Sequence, residues 1–142
     1  MSERLSPRLS AIVDALPLAK GLRVLEIGCG PGEAAREVAR RVGTGHVMGI
    51  DRSPAAITSA VAGSEPLLAA GVLSFRQVAI EEFVLDPTDV PFDLAYAARV
   101  GALDGRRPEI ETEALRRIAA ALTPTGRLFV DTGDPLREID LP

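Results

Sequence analysis

Between Glu26 and Asp51 the sequence carries residues suited to holding a polar, sugar-bearing ligand. Gly28, Gly30 and Gly32 stand at alternate positions, and a turn built on them can take positive φ and admit a ligand close to the backbone. Asp51 follows Gly30 by 21 positions (51 − 30), at the end of a second aliphatic run. An acid at about that separation, on the adjacent strand, accepts hydrogen bonds from a ribose diol. A dinucleotide fingerprint has its third glycine five positions after the first; here that position is Glu33. A carboxylate at a helix start is poorly placed beside a pyrophosphate, whose charge the helix N-terminus would otherwise bind. The expected ligand therefore bears a ribose and lacks phosphates, which speaks against an NAD-dependent oxidoreductase.

These residues need a strand before the turn and a helix after it. Residues 22–27 are mostly aliphatic, as in a strand buried on both faces of a parallel sheet, and 33–40 form a good helix with alanine and valine at helical spacing. Residues 46–50 make a second strand ending on Asp51. Ahead of them Ser6-Pro7 reads as an N-cap and first helical position, and Leu9, Ile12, Val13 and Leu16 give one apolar face over 7–16. That helix is expected to cover the sheet rather than to act as a lid beside the ligand. Ser53-Pro54 repeats the cap signal, with Ala56, Ile57, Ala60 and Val61 inward, and residues 63–66 break this helix before a further turn at 67–70. A third strand is expected over 72–79, a short crossover over 81–85, and a fourth strand over 92–97. A helix over 109–122 follows, buried through Ile110, Ala114, Leu115, Ile118, Ala121 and Leu122. Residues 123–126 turn the chain into a fifth strand over 127–131, and the tail from Thr132 shows no clear element.

Strands alternating with helices predict an α/β fold, a parallel sheet covered on both faces with right-handed crossovers. The 142 residues read as one domain: an N-terminal helix and linker (1–20), a ligand-binding core (21–135) and a tail (136–142). Apolar residues make up 46% and charged residues 25%, a globular composition. The net charge of −4, with no Trp and one Tyr, gives neither the basic footprint nor the stacking surface of a nucleic-acid binder. No apolar run reaches bilayer length, and no basic-then-apolar leader is visible, so no membrane partner is expected. One cysteine, Cys29, excludes an intrachain disulfide and fits a reducing cytoplasm; with one histidine there is no zinc constellation and no metal site is expected.

The ordered motifs resemble those of the class I S-adenosylmethionine-dependent methyltransferases over nearly the whole chain. Val24-Leu25-Glu26-Ile27-Gly28-Cys29-Gly30-Pro31-Gly32 is similar to the family's first motif, including the acid before the glycines, and Gly49-Ile50-Asp51-Arg52-Ser53-Pro54 to its second. Pro91-Phe92-Asp93-Leu94-Ala95-Tyr96-Ala97 is similar to the fourth-strand motif, and Leu122-Thr123-Pro124-Thr125-Gly126-Arg127-Leu128 to the turn into the fifth. The resemblance implies a Rossmann-like, doubly wound, mostly parallel sheet of about five strands in the order 3-2-1-4-5. It implies S-adenosyl-L-methionine as cofactor, with Gly28, Cys29, Gly30 and Gly32 backing its methionine part and Glu26 orienting the loop and the amino group. Asp51 would bind the ribose hydroxyls, Arg52 would pack by the adenine, and Ala97 would close the fourth-strand side. Where the family has Asp or Asn after the third strand, this chain has Ala79, so adenine would rest on backbone contacts and packing at Ile80, with Glu81 as a weaker substitute. Family members usually continue through further strands. Here the fifth strand is expected to be an open edge, which a second copy would cover in a homodimer.

Methyl transfer from a sulfonium relies on proximity and orientation, and needs a base only when the acceptor must lose a proton. No catalytic residue is evident. Tyr96 reads as core, His46 lies at the strand end away from the ligand, and Cys29 is a small residue fitting a tight turn rather than a nucleophile. Asp93 reads as structural. Arg99 and Asp104 follow the fourth strand as solvated-loop or local ion-pair residues and Arg106-Arg107 reads as a solvated turn, with contact to an acceptor as the minor alternative. The expected activity is methyl transfer to a small-molecule acceptor; a non-catalytic S-adenosylmethionine-binding protein or subunit is the alternative.

Overall fold

A computed structural model describes residues 4–142, so the first three residues of the expected 1–20 segment lie outside the described residues. The elements in chain order are α1 (Pro7–Ala15), β1 (Arg23–Ile27), α2 (Glu33–Val42), β2 (His46–Asp51), α3 (Pro54–Ala62), α4 (Glu65–Ala69), β3 (Leu73–Gln77), a one-turn 3-10 helix (Ile80–Glu82), β4 (Phe92–Ala97), α5 (Pro108–Ala121), β5 (Leu122–Val130) and β6 (Arg137–Ile139). They build one sheet in the order β3-β2-β1-β4-β5-β6, parallel except for β6, which runs antiparallel to β5. The expected order 3-2-1-4-5 stands, with a sixth strand added.

Side-chain alternation along the strands divides the core in two. On one face Leu25, Ile27, Met48, Ile50, Ala95 and Leu128 pack with Phe83 and with Ala114 and Ile118 of α5. On the other Val24, Val47, Leu94, Tyr96 and Phe129 pack against α1 and α2. α2 lies close to the sheet because its inward face is small: Ala34, Ala35, Val38, Ala39 and Val42 are all buried. Each buried aliphatic side chain contributes roughly 1.5–3 kcal/mol relative to exposure, so the two layers dominate the stabilisation. α1 covers the sheet as expected, through Ile12 and Val13, and its N-cap Ser6 accepts a hydrogen bond from Leu9 N–H. No described helix is long and apolar enough to cross a membrane.

Two expectations are corrected at the C-terminal side. β5 starts at Leu122, directly after α5, and residues 123–126 form a bulge within it: Phe92 pairs with Leu122 while Leu94 pairs with Arg127. The tail, read as featureless, supplies β6. It pairs Leu128, Phe129 and Val130 with Ile139, Glu138 and Arg137, and an Arg127–Glu138 ion pair at 2.7 Å joins the two strands. The fifth strand is therefore not the open edge expected of it. Along 128–130 the position reserved for a second copy is taken by the chain itself.

Candidate functional site

The parallel strands end on a cleft of about 690 Å³ at their C-terminal side, where ligands bind in open α/β sheets. Its floor is the turn after β1. Gly28 (φ 71), Gly30 (φ 53) and Gly32 (φ 88) all take the left-handed region, which only glycine adopts freely. The N–H groups of Gly28 and Cys29 both donate to the Ile50 carbonyl, at 2.8 and 2.9 Å, which seats the turn against the end of β2. Asp51 is thereby brought beside it. One carboxylate oxygen accepts from Gly30 N–H and the other from Ser53 N–H, both at 2.9 Å, so its orientation is set by the backbone alone. At Gly28 a Cβ would lie 2.7 Å from Val100 Cγ2, so the turn also touches the segment after β4.

Beneath the turn lies Arg36, a buried cation of α2. Its Nη1 donates to the Pro31 carbonyl and to Ser64 Oγ, both at 3.0 Å, and Ser64 in turn donates to the Ala60 carbonyl. The guanidinium therefore ties the glycine turn to the joint between α3 and α4.

Glu26 is 3% exposed and lines the cleft. Burial pushes its pKa up to about 8 and Asp51 and Glu33 push it the same way, outweighing the interactions with Tyr96 and with the backbone at Ala35. Its Oε1 has no partner of hydrogen-bond geometry, nor does the Tyr96 hydroxyl on the adjacent strand, where Glu26 and Tyr96 are in register. Burial, then the neighbouring Glu26 carboxyl, raises the Tyr96 hydroxyl well above its usual value, so it stays protonated. Cys29 is pushed up to about 12, first by burial and then by Glu26 and Asp51. No thiolate forms there, in keeping with a packing role.

Glu26, Gly28, Cys29, Gly30, Asp51, Arg52, Ala79 and Ile80 all reach the cleft wall. Gly32 and Ala97 do not: Gly32 caps α2 against Phe75, Ala60 and Arg36, and Ala97 is buried at the end of β4, its place in the wall taken by Ala98. Glu81 also reaches the wall, across from Arg107, whose charge it faces. His46 lies at the far end of β2, where its ring nitrogens meet the Gly71 carbonyl and Ser74 Oγ. Asp93 accepts from Arg23 N–H and is structural, as expected.

The other half of the cleft went largely unmarked in the sequence. α1 does more than cover the sheet, since Ser6, Arg8 and Leu9 of its first turn line the cleft. Arg99, Arg106 and Arg107 do so too, where a solvated loop was the simpler expectation. The gathering point is Asp131, just past β5, whose side chain is 6% exposed. It accepts from the Arg8 guanidinium and from Arg99 N–H, tying α1 and the segment after β4 to the end of β5. Partners 123 positions apart leave no local signal; the apolar stripe of α1, which ends beside Arg8, was the one available hint. Among the described residues no group of three or more His, Cys, Asp or Glu could hold a metal ion.

Residues 18–140 match the model of a family described as a methyltransferase domain. The chain is 35% identical over 124 residues to a trans-aconitate 2-methyltransferase of Paracidovorax citrulli, covering 87% of this chain and 43% of that protein. It is 32% identical over 145 residues to an O-methyltransferase of Aspergillus nomiae, covering 98% and 58%. Among solved structures, an S-adenosylmethionine-dependent methyltransferase of Thiobacillus denitrificans in complex with S-adenosyl-L-homocysteine superposes with a TM-score of 0.67 at 26% identity, over 92% of this chain and 50% of that one. The chain thus spans about half the length of the relatives it matches. With its sheet order, its glycine turn and the acid at the end of β2, it belongs to the S-adenosylmethionine-dependent methyltransferase family.

Proposed function

We propose that this chain holds S-adenosyl-L-methionine in the β1–β3 half of the cleft and transfers its methyl group to a small-molecule acceptor in the half beyond β4. The residues present suit that cofactor. Glu26 offers a buried carboxyl oxygen without a partner, which an ammonium group would satisfy. Asp51, already aimed by two N–H groups, keeps lone pairs for a ribose diol. Glu33 and Asp51, the charges beside the protonated Glu26, make a negative environment that favours a cationic ligand and disfavours a pyrophosphate. When bound, the cofactor supplies an electrophilic methyl group on a sulfonium sulfur.

Around it the chain's work is positioning. Gly28 lets the backbone approach, Arg52 borders the adenine side, and the 79–80 segment offers packing at Ile80 where Ala79 brings no side-chain acceptor. Val100, in contact range of Gly28, brings the segment after β4 against the glycine turn in the cleft wall. The names of the relatives, one acting on trans-aconitate and one an O-methyltransferase, support a small acceptor. Cys29, a buried free thiol, suits a reducing, cytoplasmic location.

The unpartnered Glu26 oxygen in the cleft wall carries this reading. Calorimetric titration with S-adenosylmethionine and S-adenosylhomocysteine, beside Asp51→Ala and an NAD control, tests it. Micromolar binding that Asp51→Ala abolishes and NAD does not match is expected. A folded chain that binds neither compound would overturn the proposal. A second reading, cofactor binding without transfer, is favoured by Ala79, which gives adenine no side-chain acceptor in the cleft wall; methyl transfer to any acceptor excludes it.

A further inference from the structure

We infer that the acceptor carries a carboxylate and that Arg99 anchors it; the inference rests on the methyltransferase reading of the cleft. The cleft is electrically divided. Its β1–β3 half presents Glu26, Glu33, Asp51 and Glu81, whereas the half formed by the start of α1, the segment after β4 and the start of α5 presents Arg8, Arg99, Arg106 and Arg107. Three of these arginines are paired within the chain: Arg8 with Asp131, Arg106 with Asp104 and Arg107 with Glu109. Those three carboxylates stand outside the cleft wall, so the surface a ligand meets is cationic. An anionic group has one favourable end in this cleft and is repelled by the other.

Arg99 differs from its neighbours. Among the described residues its guanidinium has no hydrogen bond or ion pair, and it lies exposed in the cleft. Its backbone is the one described non-glycine residue at positive φ, 58°, a conformation that persists only where the surroundings impose it. They do so from both sides: Arg99 N–H donates to Asp131 at 3.1 Å, and its carbonyl accepts from Arg106 Nη2 at 2.8 Å. Asp131 and Arg106, each also in an ion pair of its own, thus meet Arg99 through its main chain and leave its side chain unengaged. Arg99 also follows Ala98 and precedes Val100, the two residues nearest the Gly28 turn, so its anchor point adjoins the junction of the two halves. A guanidinium presents parallel N–H donors that match the two oxygens of a carboxylate, and it stays charged at every relevant pH. The arginines beside it already have carboxylate partners, so Arg99 is the one whose donors are unused among the four.

The test uses the whole chain saturated with S-adenosylhomocysteine and titrated calorimetrically with succinate and citrate, with succinamide as the neutral counterpart and methyl phosphate as the alternative anion. At least one carboxylate should bind at least about tenfold more tightly than succinamide and methyl phosphate. Arg99→Gln should remove that preference while S-adenosylhomocysteine affinity stays within about twofold of the parent, and Arg99→Lys, which keeps the charge and loses the fork, should fall between them. Three results would overturn the inference: no carboxylate preference in the parent chain, a preference unchanged in Arg99→Gln, or tighter binding of methyl phosphate. Loss of S-adenosylhomocysteine binding by the parent chain is a separate signal and strikes the methyltransferase reading instead.

Discussion

The two halves of the cleft hold their charges by different means. In the β1–β3 half two of the acids lie on strands: Glu26 of β1 is buried in register with Tyr96 of the neighbouring strand, and both oxygens of Asp51, the last residue of β2, are held by backbone N–H groups. In the other half the charges are long arginine side chains on a helix start and on the one loop between β4 and α5, Arg8 held by the buried Asp131 and Arg106 and Arg107 by ion pairs that solvent screens. On the proposed reading, rigid acids suit the cofactor and adaptable cations suit the acceptor. The difference teaches that this cleft is a fixed socket joined to an adjustable one, and each part should fail in its own way.

The largest separation is expected at Asp51. Asp51→Ala removes the proposed diol acceptor and releases the Gly30 and Ser53 N–H groups, so calorimetry should show S-adenosylhomocysteine affinity falling on the order of 100-fold. An affinity left intact would erase the distinction between the halves. Gly28→Ala strikes the seam between them. With φ at 71° and a Cβ that would meet Val100 Cγ2 at 2.7 Å, it should cost about 1–3 kcal/mol and lower the thermal midpoint by several degrees, read by circular dichroism.

Glu26 sharpens the comparison through pH. Its folded-state pKa of about 8 lies above the ordinary 4.5, so the unliganded fold binds the extra proton. The stability this contributes is complete below pH 4.5 and is lost as pH rises through about 8. A ligand ammonium beside Glu26 favours the ionised form, so binding should release up to about one proton and tighten by at most about tenfold per pH unit between roughly pH 6 and 8. Heats measured in buffers of different ionisation enthalpy give the proton count. Glu26→Gln should flatten the dependence, whereas Arg99→Gln should leave it in place. The smallest effect belongs to Arg106→Ala. Its ion pair with Asp104 is exposed, so the thermal midpoint should stay within about 1 °C, and the loss should appear only as weaker carboxylate binding next to a loosened Arg99 backbone.

The same division explains what the sequence disclosed. β1, β2 and β4 and the rigid socket were legible because their signals are local: an aliphatic run, glycines two apart, an acid closing the next strand, Ser-Pro at two helix starts. β6 was not, because Arg137-Glu138-Ile139 has no apolar alternation of its own and becomes a strand only against the edge of β5. The bulge at 123–126 was read as a turn because Pro124 and Gly126 signal one, and only the register with β4 shows the strand running through it. The arginine half escaped for a different reason. Its members come from three separated segments, and the residue that assembles them, Asp131, carries no motif of its own.

The buried Arg36 sets how the rigid socket can move. To lift the glycine turn away from α2, the chain must break the hydrogen bond to the Pro31 carbonyl from a cation with little water around it, which Ser64 also holds in place. An opening of that kind is not a loop fluctuation but a cooperative loosening of the turn, α2 and the α3–α4 joint together. Amide protons of α2 from Arg36 onward should therefore exchange with deuterium nearly as slowly as those of β1, while those of the 99–107 loop exchange early. In that sense the cofactor's seat unfolds with the core, and the acceptor's seat does not wait for it.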